Sequence, residues 1–194
     1  MLSAKQQILK RVFDILLAIV LVPIVVLPLI LLFVFTSLDA SSFGIFRQER
    51  VGKNAKLFTL FKLKTMRVLP DSTLVISNFG KFLRRSKLDE LPQIFNIIIG
   101  DMSFVGPRPD IVGYADKLQD EDRIILSVRP GLTGPATIKF SNEEELLSQQ
   151  ENSLEYNDKV IWPQKVEINR DYVQHWNFMK DLRYLWFTIK QLLH

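Results

Sequence analysis

The chain has 194 residues, a length that supports one domain plus an appendage around a sizeable core. It holds no cysteine, which excludes a disulfide framework and thiolate chemistry, and its two histidines, His175 and His194, lie near the C-terminus and offer no histidine metal cluster. The net charge of +4 is unevenly placed: 11 Lys/Arg stand against 4 Asp/Glu from Ala40 to Glu90, and 5 against 11 from Asp110 to Val160. The basic half suits anionic lipid or a nucleotide; no DNA- or RNA-binding motif accompanies it, so nucleic acid ranks last among partners.

Ile15 to Leu38 is 24 residues without a charge, where about 20 suffice to cross a bilayer. The run is long for a signal peptide and no small-residue cleavage site follows it. Lys5, Lys10 and Arg11 precede it, and Arg47, Arg50, Lys53 and Lys56 follow. A simple span should carry its positive excess on the cytoplasmic side only. Pro23 and Pro28 interrupt the run, and Pro28 leaves 13 residues before it and 10 after. Those arms reach about 20 Å and 15 Å, too short to cross a core of about 30 Å. An ordinary span is the competing reading.

Phe43 to Met66 reads as two short extended segments around the turn Gly52-Lys53-Asn54. Alternation puts Phe61 and Leu63 on one face and Lys62 and Lys64 on the other, where a solvated lysine face is the ordinary alternative. Arg67 to Asn78 is a polar connector containing Pro70-Asp71, and Phe79 to Arg85 begins a helix. Pro92 costs little among the first residues of a helix, whose N–H groups lack intrahelical partners, so the next helix is predicted to begin within Leu88–Leu91. Leu91, Ile94, Phe95 and Ile98 follow the spacing of its buried face.

Asp89 and Glu90 then fall in or just before the first turn, where the helix dipole favours ionised carboxylates. Beside Arg84, Arg85 and Lys87 they suit a nucleophile or metal ligand aimed at a phosphate. Ser86-Lys87-Leu88-Asp89 also matches a capping box, so a purely structural cap competes. Asp110 to Ser127 reads as a helix rich in surface charge, and Arg129-Pro130-Gly131-Leu132-Thr133-Gly134 as a turn-rich loop. Phe140 to Asp158 is an acidic, Gln/Asn-rich segment, read as a solvated helix and loop. Trp162 to Tyr172 follows. Leu182, Leu185, Trp186, Ile189, Leu192 and Leu193 form one face of an amphipathic tail helix, with Lys180, Arg183 and Lys190 elsewhere. Such a face suits a membrane interface or a core.

Asp89-Glu90-Leu91-Pro92-Gln93, followed by Gly100-Asp101-Met102-Ser103-Phe104-Val105-Gly106-Pro107-Arg108-Pro109, closely resembles the bacterial sugar transferase family. The resemblance runs from Lys10-Arg11-Val12-Phe13-Asp14 to the C-terminus. These are monotopic phosphoglycosyl transferases, which begin surface polysaccharide or glycoconjugate assembly on polyprenol phosphate at the cytoplasmic face of the bacterial inner membrane. The resemblance implies an α+β fold. Residues 1–40 would form a helix–break–helix hairpin in one leaflet, broken at Pro28 or Pro23. Residues 41–194 would form a cytosolic catalytic domain, mostly helical with a small β element and amphipathic interfacial helices.

It also implies Asp89 as nucleophile, Glu90 in acid–base or orienting work, and Mg²⁺ bridging Asp89 and a UDP-sugar diphosphate. Lys62 and Lys64 resemble the family's Lys-x-Lys-Thr-Met element near the active site. Arg84, with Arg108 and Arg129 (each held beside a proline), completes the implied substrate-binding set. Asn169 stands where relatives usually carry an aspartate, and Asp181 matches a second family aspartate; both are possible supporting residues. An oligomer is compatible with the sequence. Two rivals fall short: an aspartyl-phosphate phosphatase lacks its Asp-x-Asp-x-Thr motif here, and a non-enzymatic membrane adaptor with a basic face gives no reason for Asp89-Glu90 beside Gly-Pro-Arg-Pro.

Overall fold

The computed structural model describes residues 1–192 and is α+β. Leu193 and His194, which the sequence reading includes in the tail, lie outside the described residues. Helix α1, Ala4–Asp39, opens on a capping box in which Ser3 and Gln6 exchange side-chain-to-backbone hydrogen bonds. It stays helical through Pro23 and Pro28, so the expected break into two helices is not seen. Each proline lacks one i→i−4 donor, releasing the carbonyls of Ile19 and Ile24. Packing on both sides holds the turns: Leu21 and Val22 lie against one core cluster, and Val25, Leu29 and Leu32 against another.

The buried side of α1 meets the rest of the chain from end to end. Lys10 reaches Asp181, Asp14 accepts from Ser103 and the Phe104 amide, and Ala18 and Thr36 are fully buried. The opposite side exposes Leu9, Val12, Leu16, Ile19, Ile24, Leu27, Ile30, Phe35 and Leu38. An 18-residue window in this helix has a mean hydropathy of 3.3.

Strands β1, Ile45–Val51, and β2, Leu57–Leu63, form the expected antiparallel hairpin, with Ile45 opposite Leu63 and Val51 opposite Leu57. Its faces behave as alternation predicts. Leu63 packs with Leu29 and Leu83, while Phe58 and Leu60 enter the main core. The polar connector is itself a hairpin: β3, Met66–Val68, pairs with β4, Leu74–Ile76, around the turn at Pro70-Asp71. Helix α2, Asn78–Arg85, is capped by Ser77, and α3, Gln93–Ile99, starts after Pro92.

The buried face of α3 is Ile94, Asn96 and Ile97, whereas Phe95 and Ile98 are exposed. Asn96 points inward in their place because its carboxamide closes β2's backbone: it accepts from the Phe61 amide and donates to the Thr59 carbonyl. Strand β5, Ser103–Val105, then pairs in parallel with β6, Gly131–Thr133. Between them, Asp110–Ser127 is not the expected α-helix. Left-handed backbone at Gly113 and Asp120 splits it into loops and 3₁₀ turns, Ala115–Lys117 and Asp120–Ser127.

Helix α4, Pro135–Lys139, precedes the acidic segment, which α5, Glu143–Ser148, and α6, Ser153–Tyr156, build as helix and loop. A π-helical turn, Asn157–Ile161, leads into α7, Trp162–Gln174, and α8, Phe178–Leu192, closes the fold. On α8, Leu185 lies against the core while Trp186, Ile189 and Leu192 are exposed.

Candidate active site

Lys87 adopts left-handed backbone, φ 56°, a strained conformation for a non-glycine residue. It turns the chain from α2 into a separate 3₁₀ turn, Leu88–Glu90, so Asp89 and Glu90 lie outside α3. The capping-box reading fails: Ser86 donates to the Phe82 and Leu83 carbonyls. Both carboxylates are buried. Lys62, on the core-side face of β2, lies 2.9 Å from Glu90 Oε1 and 4.0 Å from Asp89 Oδ2. Arg108 donates to the same Glu90 oxygen at 3.0 Å. Asp89 Oδ1 is buried and has no hydrogen-bond partner.

The two neighbours therefore ionise differently. Burial pushes Asp89 above the ordinary aspartate range and Glu90's charge adds to this, against the pull of Lys62, Lys87 and Arg84. The helix-dipole expectation of an easily ionised Asp89 is overturned, because its turn lies apart from α3 and desolvation outweighs nearby cations. For Glu90 burial also pushes upward, but Arg108 and Lys62 more than offset it and bring the group down to about 2. Paired environments that separate two carboxylates assign them different work.

Arg108 is fixed by a cross-stitch between two loops. Gly106 N–H donates to Thr133 O and Gly131 N–H to Pro107 O, both at 2.8 Å. A side chain on Gly131 or Gly134 would collide with the Gly106 backbone. Arg50, which sequence reasoning did not single out, braces the loop by donating to the Pro109 carbonyl.

A cavity of about 680 Å³ opens beside Glu90 and Arg108. Arg85 and Lys87 line one part; Asp110, Thr137, Glu143, Lys165 and Asn169 line another, and Leu21, Val25 and Leu185 supply apolar wall. The structure thus brings together Asp89, Glu90, Lys62 and Arg108, and places Asn169 in the adjoining cavity. Arg84 instead donates to Thr65, close enough to influence Asp89. Lys64 donates to Ser42, and Arg129 to the Gly100 carbonyl; neither lines the cavity. Asp181 is engaged by Lys10, Tyr172 and Trp176. Asp110 and Lys165 were not anticipated; only the position of Asp110 directly after Pro109 hints at the first.

The residue set fits a divalent cation in one respect. Asp89 offers a buried, unpartnered oxygen, and Mg²⁺ takes one or two carboxylates plus substrate phosphates. Among the described residues no group of three or more acidic or histidine ligands forms a self-sufficient metal site.

The bacterial sugar transferase family model matches residues 5–194. The chain is 32% identical to EpsL of Bacillus subtilis, a sugar transferase, over 96% of this chain and 88% of that one. It is 30% identical to the UDP-glucose:undecaprenyl-phosphate glucose-1-phosphate transferase of Escherichia coli, over 97% of this chain but 41% of that protein's length. It is 31% identical to the Caulobacter vibrioides protein of the same name, over 95% of this chain and 69% of the relative. With the family model covering nearly every residue and the Asp89–Glu90 turn set beside Gly106-Pro107-Arg108-Pro109, the chain belongs to the bacterial sugar transferase family.

Proposed function

We propose that the protein transfers a sugar 1-phosphate from a UDP-sugar to polyprenol phosphate, yielding polyprenol diphosphate sugar and UMP. The observation that carries this reading is the buried, unpartnered Asp89 Oδ1 beside Lys62 and next to Glu90, whose pair with Arg108 lines a cavity large enough for a nucleotide sugar. Relatives named undecaprenyl-phosphate sugar-1-phosphate transferases support the donor and acceptor classes.

A carboxylate oxygen of Asp89 attacks the phosphorus that bears the sugar. The bond from that phosphorus to the bridging oxygen breaks, and UMP leaves with that oxygen. A phosphate oxygen of the polyprenol phosphate then attacks the same phosphorus, the acyl-phosphate bond breaks, and the carboxylate is restored. Lys62 and Arg108 offset charge developing on phosphoryl oxygens. Glu90, held ionised by both, is too acidic for an efficient base at neutral pH and instead orients the two cations. Asp89 would anchor Mg²⁺, whose charge would help neutralise a bound diphosphate.

The test is incubation of the purified chain with labelled UDP-sugars and undecaprenyl phosphate. A labelled lipid product with stoichiometric UMP supports the proposal; absence of both across the sugar panel refutes it.

Asp89 must be ionised to attack, so activity should fall as pH drops through its raised pKa. Lys62 pulls that pKa down. Lys62→Met should therefore shift the acid limb of the pH–kcat/KM profile to higher pH as well as lower the maximum. An acid limb unchanged in position would separate Lys62 from Asp89.

The protein is further proposed to sit on the cytoplasmic face of the inner membrane without crossing it. A spanning helix must leave its soluble domain, whereas α1 contacts that domain from Lys10 to Asp39 and presents one continuous apolar side outward. Crossing would drag polar domain surface into hydrocarbon. Residues 2–10 and the catalytic domain should then share one face. With Ser3→Cys or Ser41→Cys in this cysteine-free chain, an impermeant thiol reagent added outside should label neither. Labelling of Ser3→Cys alone would establish a span.

A further inference from the structure

Beyond Arg108 the cavity floor carries alternating charge. Asp110 lies among Arg108, Arg50 and Lys165, and Lys165 pairs with Glu143 of α5 at 2.6 Å. One turn along α7 from Lys165, Asn169 is only 5% exposed, lines the cavity, and its Oδ1 has no hydrogen-bond partner. Thr137 of α4 lines the same cavity, and its buried Oγ1 is likewise unpartnered. Buried polar atoms in native proteins are normally satisfied, so two orphaned oxygens on one cavity wall mark a place where a ligand supplies hydrogen-bonding groups.

A diphosphate does not suit this wall. Its oxygens are acceptors, as is Asn169 Oδ1, and Asp110 and Glu143 add negative charge; the cationic end of the cavity is at Arg108, Lys87 and Arg85. In the donor proposed above, the group joined by one oxygen to the attacked phosphorus is the sugar, while uridine is separated from it by a second phosphate. A pyranose offers several hydroxyls that donate and accept. We infer that Asn169 and Thr137 read hydroxyl groups of the donor's sugar, making the α4–α7 wall, closed by the acidic segment at Glu143, the part of the site that selects which sugar is transferred. This assignment rests on the transferase reading.

The experiment uses the full chain and the UDP-sugar that the wild type transfers best. Asn169→Leu and Thr137→Val, each checked by its melting temperature, should raise KM for that donor by about ten-fold. Inhibition by UDP, which lacks the sugar, should keep its wild-type constant. A deoxy donor lacking the recognised hydroxyl should lose about ten-fold with the wild type and much less with the matching variant. Two folded variants with unchanged KM would overturn the inference, leaving the orphaned oxygens to bound water. Equal weakening of UDP inhibition would also overturn it, by placing the nucleotide on this wall. A wild type that transfers no UDP-sugar would instead sink the transferase reading, and this assignment with it.

Discussion

Asp89→Asn should fold normally, form no covalent phosphosugar adduct, and lower turnover by on the order of 10³-fold or more. The amide keeps the shape of the carboxylate but presents a weakly nucleophilic oxygen to the phosphorus. The same change should not destabilise the protein. Asp89's folded pKa is raised, so above that pKa the fold holds a charge that the unfolded chain accommodates more easily. At neutral pH a neutral side chain removes that penalty, while Lys62 keeps its partner Glu90. The variant should thus melt at or above the wild-type temperature. Intact-mass measurement with UDP-sugar and no acceptor checks the chemistry: wild type should gain one sugar phosphate and release UMP, the variant neither. An adduct on Asp89→Asn would move the nucleophile elsewhere.

What could be read from sequence depended on how local the cause was. The β1–β2 hairpin was legible because alternation and a Gly-Lys-Asn turn specify it within 19 residues, and Lys62 fell on the correct face. The helix α2 and the tail helix were legible for the same reason. The face of α3 was misjudged because Asn96 is buried for a bond to β2 that hydrophobic spacing does not encode. Asp110–Ser127 carries a helical pattern, but left-handed backbone at Gly113 and Asp120 divides it.

The site divides likewise. Asp89, Glu90 and Arg108 lie in one short motif, and the loops holding Arg108 follow from their glycines and prolines. Asp110, Thr137 and Lys165 meet around one cavity from three separate segments, with no shared local signal. Asp89's protonation was misread in direction: cations are visible in a sequence, and burial is not.

Lys10 gives the second large effect. By sequence it was one of the basic residues flanking an apolar run, a position where lysine ordinarily reaches into water. In the fold it is buried and lies 2.5 Å from Asp181, a carboxylate only 1% exposed that also accepts from Tyr172 at 2.8 Å and Trp176 at 3.0 Å. Lys10→Met would leave that carboxylate with two neutral donors and no counter-charge, and breaking a buried pair on one side typically costs about 3–5 kcal/mol. For a chain of this size each kcal/mol moves the melting temperature by about 2–4 °C, so a fall of roughly 6–20 °C is expected. Because the pair joins α1 to α8, and Leu21 and Leu185 of those helices share the cavity wall, turnover should fall with it. Lys10→Met combined with Asp181→Leu removes both charges and should recover most of the stability, since a buried pair replaced by apolar groups is often neutral. A single Lys10→Met variant that melts with the wild type would mean that the pair is solvated and that α1 is held to the domain by its apolar contacts alone.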